Sequence, residues 1–294
     1  MNAQAPRYDL RPRIEQVDSL PALPHIAERL LELQRKKAPG ARDLAAIIEL
    51  DPALASQVLR HAASPLLGCR EKILSINEAV TRLGFDNVLN MALGFTASQG
   101  LSIPGDGPIG LQAFWRHAVY TAALMQRMAQ TLTRSTDANP GLAYLAGLLH
   151  NIGFLLLGHL FPTEFSVLNQ LVENRPDEPV TALEHKHLGM DHTESGALLM
   201  RKWRMPPEIV TTVFAHHNPD YRGEQHQYAN LAFLADALMK AHGLGDAASR
   251  GLPDKLLHSL GFREEQVMAL NDEVMANAKD LEAMAENLTQ ASGR

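Results

Sequence analysis

The chain has 294 residues, 46% of them hydrophobic and 20% charged, with a formal net charge of −6. Those figures belong to an ordinary globular protein with a sizeable core, and the acidic balance excludes a general attraction to DNA or to an anionic membrane. A lone cysteine, Cys69, excludes an internal disulfide and fits a reducing cytoplasm.

From the N-terminus, "MNAQAPRYDLRPR" has no apolar core of a signal peptide and no helical periodicity, so residues 1–14 read as a flexible lead. Residues 15–100 read as a first helical lobe, because apolar residues recur at helical spacing and almost none alternate with period two. The basic "RKK" at 35–37 is a solvated helix end. Asp51 is placed to cap a helix that has Pro52 at its first position. Ser75 to Glu78 fits a capping box, and Gly84 followed by Asp86 marks one helix ending and the next beginning. "LSIPGDGPIG", residues 101–110, cannot continue a helix and reads as a connection.

Residues 111–242 read as a second helical lobe. Its apolar run Leu142 to Phe161 is long enough to suggest a membrane span. It carries His150, Asn151 and His159, however, which are costly in hydrocarbon, so a buried helix is expected instead. Thr181 to Glu184 fits a second capping box, which accounts for Glu184, and Met205-Pro206-Pro207 starts a further helix. Trp115 and Trp203 sit on apolar faces and read as core. Residues 243–294 form a C-terminal helical extension. Within it, Glu264 to Leu288 reads as one amphipathic helix, packed on its own domain or serving as a homodimer contact. The fold class expected is all-α, with a dozen or more helices and no sheet.

Eight of the thirteen histidines fall between His117 and His217. His117 lies within a helix, His150 and Asn151 end one, His192 opens one, His216 and His217 end another, and Asp236 lies inside the next. Imidazole and carboxylate are the usual ligands of divalent transition metals. His159, His185 and His187 read as surface or seam histidines.

This order resembles the HD superfamily of metal-dependent phosphohydrolases and, more closely, its HDOD branch of bacterial signalling outputs. The resemblance rests on "LPALPHIAERLLEL", "IIELDPALASQVLRHAAS" and "SINEAVTRLG" in the first lobe. In the second it rests on "FWRHAVYTA", "LAGLLHNIG", "GMDHTESGALLMRKWRMP" and "FAHHNP". It implies two helical lobes and a regulatory or scaffolding role without established catalysis. It also implies metal positions at His117, His150, Asn151 and Asp236, with His192, His216 and His217 matching further positions of the binuclear branch that degrades cyclic di-GMP. The chain departs from the pattern in four places. Asn151 stands for the central Asp, the Gly-Tyr-Pro signature is missing, Ala113 supplies no carboxylate one turn before His117, and Ala63 stands where Asn is common.

A two-metal clamp needs anionic ligands, and the mapped set offers only Asp236. Three outcomes stay open for these residues: a hydrogen-bonded seam, one bound divalent transition metal without turnover, or a working phosphohydrolase. No Gly-rich phosphate loop, Ser nucleophile elbow or phosphate-clamping Arg is evident, Arg116 and Arg201 being only near in sequence. The function expected is a cytoplasmic signal-transduction output acting by protein or ligand binding, with receiver, kinase or cyclase proteins as partners in trans. The alternatives are a metal-dependent phosphohydrolase of nucleotides or cyclic dinucleotides, and a nucleotide sensor that binds without hydrolysis.

Overall fold

The computed structural model describes residues 6–14, 20–67, 73–132, 138–246 and 251–292, so Cys69 lies outside the described residues. Among them are seventeen α-helices and no strand. The first six are α1 (Arg11–Ile14), α2 (His25–Gln34), α3 (Ala41–Ile48), α4 (Pro52–Ala62), α5 (Ile76–Leu83) and α6 (Phe85–Ala97). Asp51 caps α4, its carboxylate accepting from the N–H groups of Ala53 and Leu54, and the Ser75 hydroxyl accepts from Glu78 N–H at the start of α5. Gly84, at φ +91°, turns the chain between α5 and α6 in a region that side chains avoid.

The next eight are α7 (Leu111–Leu132), α8 (Pro140–Leu149), α9 (Ile152–Leu160), α10 (Pro162–Asn174), α11 (Val180–Leu188), α12 (His192–Lys202), α13 (Pro207–Ala215) and α14 (His226–Ala241). The last three are α15 (Asp254–Leu260), α16 (Glu264–Ala276) and α17 (Ala278–Ser292). α7 and α8 form the central pair. α6 packs on α8, α14 packs on α7, and α12 packs on α9 and α13. One continuous hydrophobic core runs through both the 15–100 and the 111–242 segments. Within the apolar stretch Pro140–Leu160, 94% of the most apolar 18-residue window is buried, so its hydropathy reflects a core position.

Two expectations need correction. Residues 6–14 are not a loose lead: Tyr8 N–H donates to His187 O (2.8 Å), Leu10 N–H donates to Leu188 O (2.9 Å), and Leu10 and Ile14 are buried. Two well-placed apolar side chains and backbone pairing with the end of α11 achieve this without any helical period. The single C-terminal helix is in fact two, interrupted at Asn277, whose side-chain amide donates to Glu273 O (2.9 Å). Both pack on α7. Their stripe of Val267, Val274, Leu281, Ala285 and Leu288 is buried there, clipped by Arg116–Glu282 (2.8 Å) and Arg127–Glu273 (2.7 Å).

Candidate metal centre

Two glycines explain the setting of "AGLLHNIG". A Cβ on Gly147 would lie 2.6 Å from Ala122 Cα, so glycine lets α8 press on α7 and brings His150 to His117. A Cβ on Gly153 would collide with the His192 carbonyl, so glycine lets the start of α9 press on the start of α12. His150 caps α8, and Asn151 joins it to α9. His192 is fixed at the first position of α12 by a capping box. The Asp191 carboxylate accepts from Thr193 and Glu194 N–H, and Glu194 accepts from Asp191 N–H. His216 caps α13, and Asp236 lies in the middle of α14.

All seven residues singled out in the sequence lie in one cluster, five of them histidines. His117 Nδ1 meets Leu244 O (3.1 Å), His150 Nδ1 meets Gly147 O (2.6 Å), and His216 Nδ1 meets Val213 O (3.0 Å). A carbonyl only accepts, so each of these rings carries its proton on Nδ1 and presents a bare lone pair at Nε2. His192 Nδ1 donates likewise to Glu184 Oε2 (2.7 Å). The Nε2 atoms then face one another: 3.1 Å between His117 and His150, 3.3 Å between His192 and His216, and 3.1 Å between His192 and His217. Asn151 Oδ1 lies 3.1 Å from His216 Nε2. Asp236 Oδ1 is buried without a hydrogen-bond donor and lies 3.1 Å from His117 Nε2.

Two bare lone pairs at this range repel unless a proton or a metal cation lies between them, and Glu184 favours a proton on His192. Ligand atoms bonded to one ion at about 2.0–2.1 Å stand roughly 3.0–3.4 Å apart, which is the spacing found. His117, His150 and Asp236 form one set able to hold a metal ion, and His192, His216 and His217 form another. Carbonyl and carboxylate partners on the far ring nitrogen are the usual outer support of ligating histidines. The residues present therefore fit a divalent transition metal.

The structure adds three charged residues to the centre, of which the sequence points only to Glu184, and to that one as a helix cap. Glu184 is fully buried and also accepts from His192 N–H (3.1 Å). The capping role read from Thr181 to Glu184 is wrong, because α11 begins at Val180 after Pro179 and Thr181 lies inside it. Lys240 Nζ lies 2.8 Å from Asp236 Oδ2 and 2.6 Å from Asp246 Oδ1. The single-carboxylate count is thereby corrected. Three carboxylates outnumber the one ammonium, so the centre carries more anionic groups than Asp236 alone supplies.

Burial and these neighbours set the protonation states. Burial pushes Glu184 up to about 7, against the pull of His192. Burial opposes charge on His192, but Glu184 outweighs it and raises that imidazole. Burial, then the neighbouring imidazoles, hold His150, His216 and His217 well below their ordinary value, and Lys240 adds to this for His216 and His217. Burial opposes ionisation of Asp236, but the Lys240 ammonium outweighs it and holds that carboxylate well below its ordinary range. Lys240 is raised, Asp236 and Asp246 outweighing its own burial.

Access is narrow on one side. The crevice over His117 and Asn151, walled by Phe114, Phe154 and Asp246, has a volume of about 10 Å³, room for one water. On the far side His217 borders an open groove of about 380 Å³ with Asp191, Thr193, His185 and the half-exposed Phe214. His159 and His185 are exposed, and His187 packs edge-on against Tyr8.

Comparison with known proteins sets this centre in context. The HDOD domain family matches residues 20–219. A protein of Treponema pallidum (strain Nichols) is 26% identical over 277 residues, covering 92% of this chain and 52% of the relative, so the chain spans about half the length of that curated relative. The crystal structure of a Marinobacter aquaeolei VT8 protein named for signal transduction is similar, with a TM-score of 0.81 and 32% identity. That match covers 99% of this chain and 63% of the other. An HDOD domain protein of Geobacter sulfurreducens shares the fold at TM-score 0.76 and 24% identity, covering 95% and 96%.

Proposed function

The chain belongs to the HDOD family, and from that premise we propose that it is a cytoplasmic signal-transduction output whose histidine centre holds one divalent transition-metal ion and which acts by binding rather than by hydrolysis. His117, His150 and Asp236 would hold the ion, as the set within the buried histidine centre that includes a carboxylate. Bound there, the ion supplies a fixed double charge that ties α7, α8 and α14 together. The chain's own residues do the rest. Leu244 O, Gly147 O and Val213 O orient the imidazoles, Lys240 restrains Asp236, and Phe114 and Phe154 crowd the entrance.

The observation that carries the reading is the narrow crevice over His117 and Asn151, of about 10 Å³, which is too small for a phosphate ester to enter as it stands. Asn151 adds to it, since a neutral amide brings no charge to bind a second ion. The test is to load the purified protein with Mn, Fe or Zn and incubate it with mononucleotides, cyclic dinucleotides and p-nitrophenyl phosphate. No hydrolysis above that of His150→Ala is expected; turnover abolished by that substitution contradicts the reading. One observation favours the phosphohydrolase alternative, namely the open groove at His217. Turnover lost on His217→Ala would support it. Signalling proteins supplied in trans remain the partners we propose.

A further inference from the structure

A groove of about 380 Å³ lies between α10, α11 and the N-terminal segment and shares no lining residue with the histidine centre. Its floor is aliphatic. Val167 and Leu171 stand one turn apart on α10 and are half-buried, and Leu183 of α11 is buried beside them. α10 already gives Phe165, Leu168 and Val172 to the core, so Val167 and Leu171 widen its apolar face beyond what the core uses. The rim is cationic, with Arg7, Arg175 and Lys186 all exposed. Lys186 follows Leu183 by three residues and falls on the same face of α11. Backbone pairing brings Arg7 beside it, the Arg7 N–H donating to Lys186 O (3.4 Å). Arg175 is paired with Glu178 (3.2 Å). Arg7 and Lys186 have no carboxylate partner among the described residues, and the lining of the groove holds none.

Two neighbouring cations over an aliphatic floor limit what fits. In a chain of net charge −6 they are a local reversal of sign. Burial, then the charge of Arg7, lowers the His187 imidazole in the same wall, which keeps that ring uncharged and leaves the rim positive. A purely apolar guest would leave Arg7 and Lys186 uncompensated, and a small inorganic anion would leave the floor in water. Apolar surface rimmed by charge marks interaction sites, and the net charge of the chain opposes an anionic membrane. Cations carried by separate elements suit two anionic groups with aliphatic side chains between them, which one peptide backbone can supply. We infer that this groove docks an acidic, leucine-bearing peptide segment of a partner protein, its carboxylates on Arg7 and Lys186 and its aliphatic side chains on Val167, Leu171 and Leu183. The inference goes beyond the proposed output role and does not depend on metal in the histidine centre.

The experiment is a fluorescence-anisotropy titration of the full chain with two labelled peptides, Glu-Asp-Leu-Leu-Glu-Asp and Glu-Leu-Glu-Leu-Glu. Their amide forms (Gln and Asn for Glu and Asp) and their Ser-for-Leu forms test the two halves of the chemistry. At least one acidic peptide is expected to bind saturably at one site per chain, more weakly as salt shortens the reach of the charges. Arg7→Glu with Lys186→Glu is expected to weaken it roughly tenfold or more. Lys255→Glu with Lys279→Glu changes the net charge equally on α15 and α17, and should leave binding within about twofold. If the first pair fails to fold, Lys186→Glu decides alone. Dodecyl phosphate and phosphatidylglycerol vesicles are expected to compete poorly. No saturable binding of either peptide, equal binding of the amide or Ser forms, or equal losses in the two charge-reversal pairs would each overturn the inference. Dodecyl phosphate or vesicles that bind the groove more tightly than the peptides would overturn it as well.

Discussion

His61 offers a quantitative test of how tightly the first lobe is closed over its polar core. Burial pushes its imidazole from the ordinary 6.5 down to about 4, so the folded protein binds this proton less readily than the unfolded chain does. The stability it contributes is full above pH 6.5 and is lost as pH falls through 4. With those two values, going from about pH 7.5 to about pH 5 should cost roughly 2 kcal/mol, rising to about 3 kcal/mol below pH 4. The assay is urea denaturation of the wild type and His61→Phe at both pH values. Both proteins keep His150, His216 and His217, whose lowered values push in the same direction, so the difference between the two pH slopes isolates His61. The wild type should lose about 2 kcal/mol more than the variant between the two conditions. Equal losses would mean that His61 is hydrated in the folded state, and the reasoning would fail.

In metal-stripped protein, Lys240→Met leaves Asp236 and Asp246 buried without their cation and should cost about 3–5 kcal/mol; a stripped variant that melts with the wild type would contradict this. Gly153→Ala forces α9 off the His192 carbonyl and should cost about 1–3 kcal/mol by overpacking, read from the urea midpoint, together with weaker metal binding. Glu184→Gln keeps the shape but loses one of two acceptor contacts to His192. It should cost about 1–3 kcal/mol and lower the His192 imidazole in an NMR titration of stripped protein; a His192 that titrates unchanged refutes the pairing.

Much of the architecture could be read from local signals because helices announce themselves locally. Asp51-Pro52, Ser75 to Glu78 and Gly84 each carry a backbone reason to start or stop a helix, and each does so. The histidine positions were legible because each sits at or near a helix end or in the middle of a long helix. Glu184 was misread because Ser/Thr-x-x-Glu serves equally as a cap and as chance. Pro179, which starts α11 before Thr181, was the signal that could have decided it. Lys240 stands four residues after Asp236, a spacing visible in the sequence, but nothing local says that its ammonium is buried. Asp246 reaches the centre from a loop, and no pattern places a loop residue. The packing of Leu10 and Ile14 is a tertiary event of the same kind.

The most direct test of the central claim is metal stoichiometry by mass spectrometry of protein purified without chelator, the wild type beside Asn151→Asp, with anomalous scattering to place the ions. The account predicts one ion per wild-type chain among His117, His150 and Asp236, and a second only when residue 151 becomes a carboxylate. No ion in the wild type, or two adjacent ions sharing a solvent oxygen beside Asn151, would contradict it.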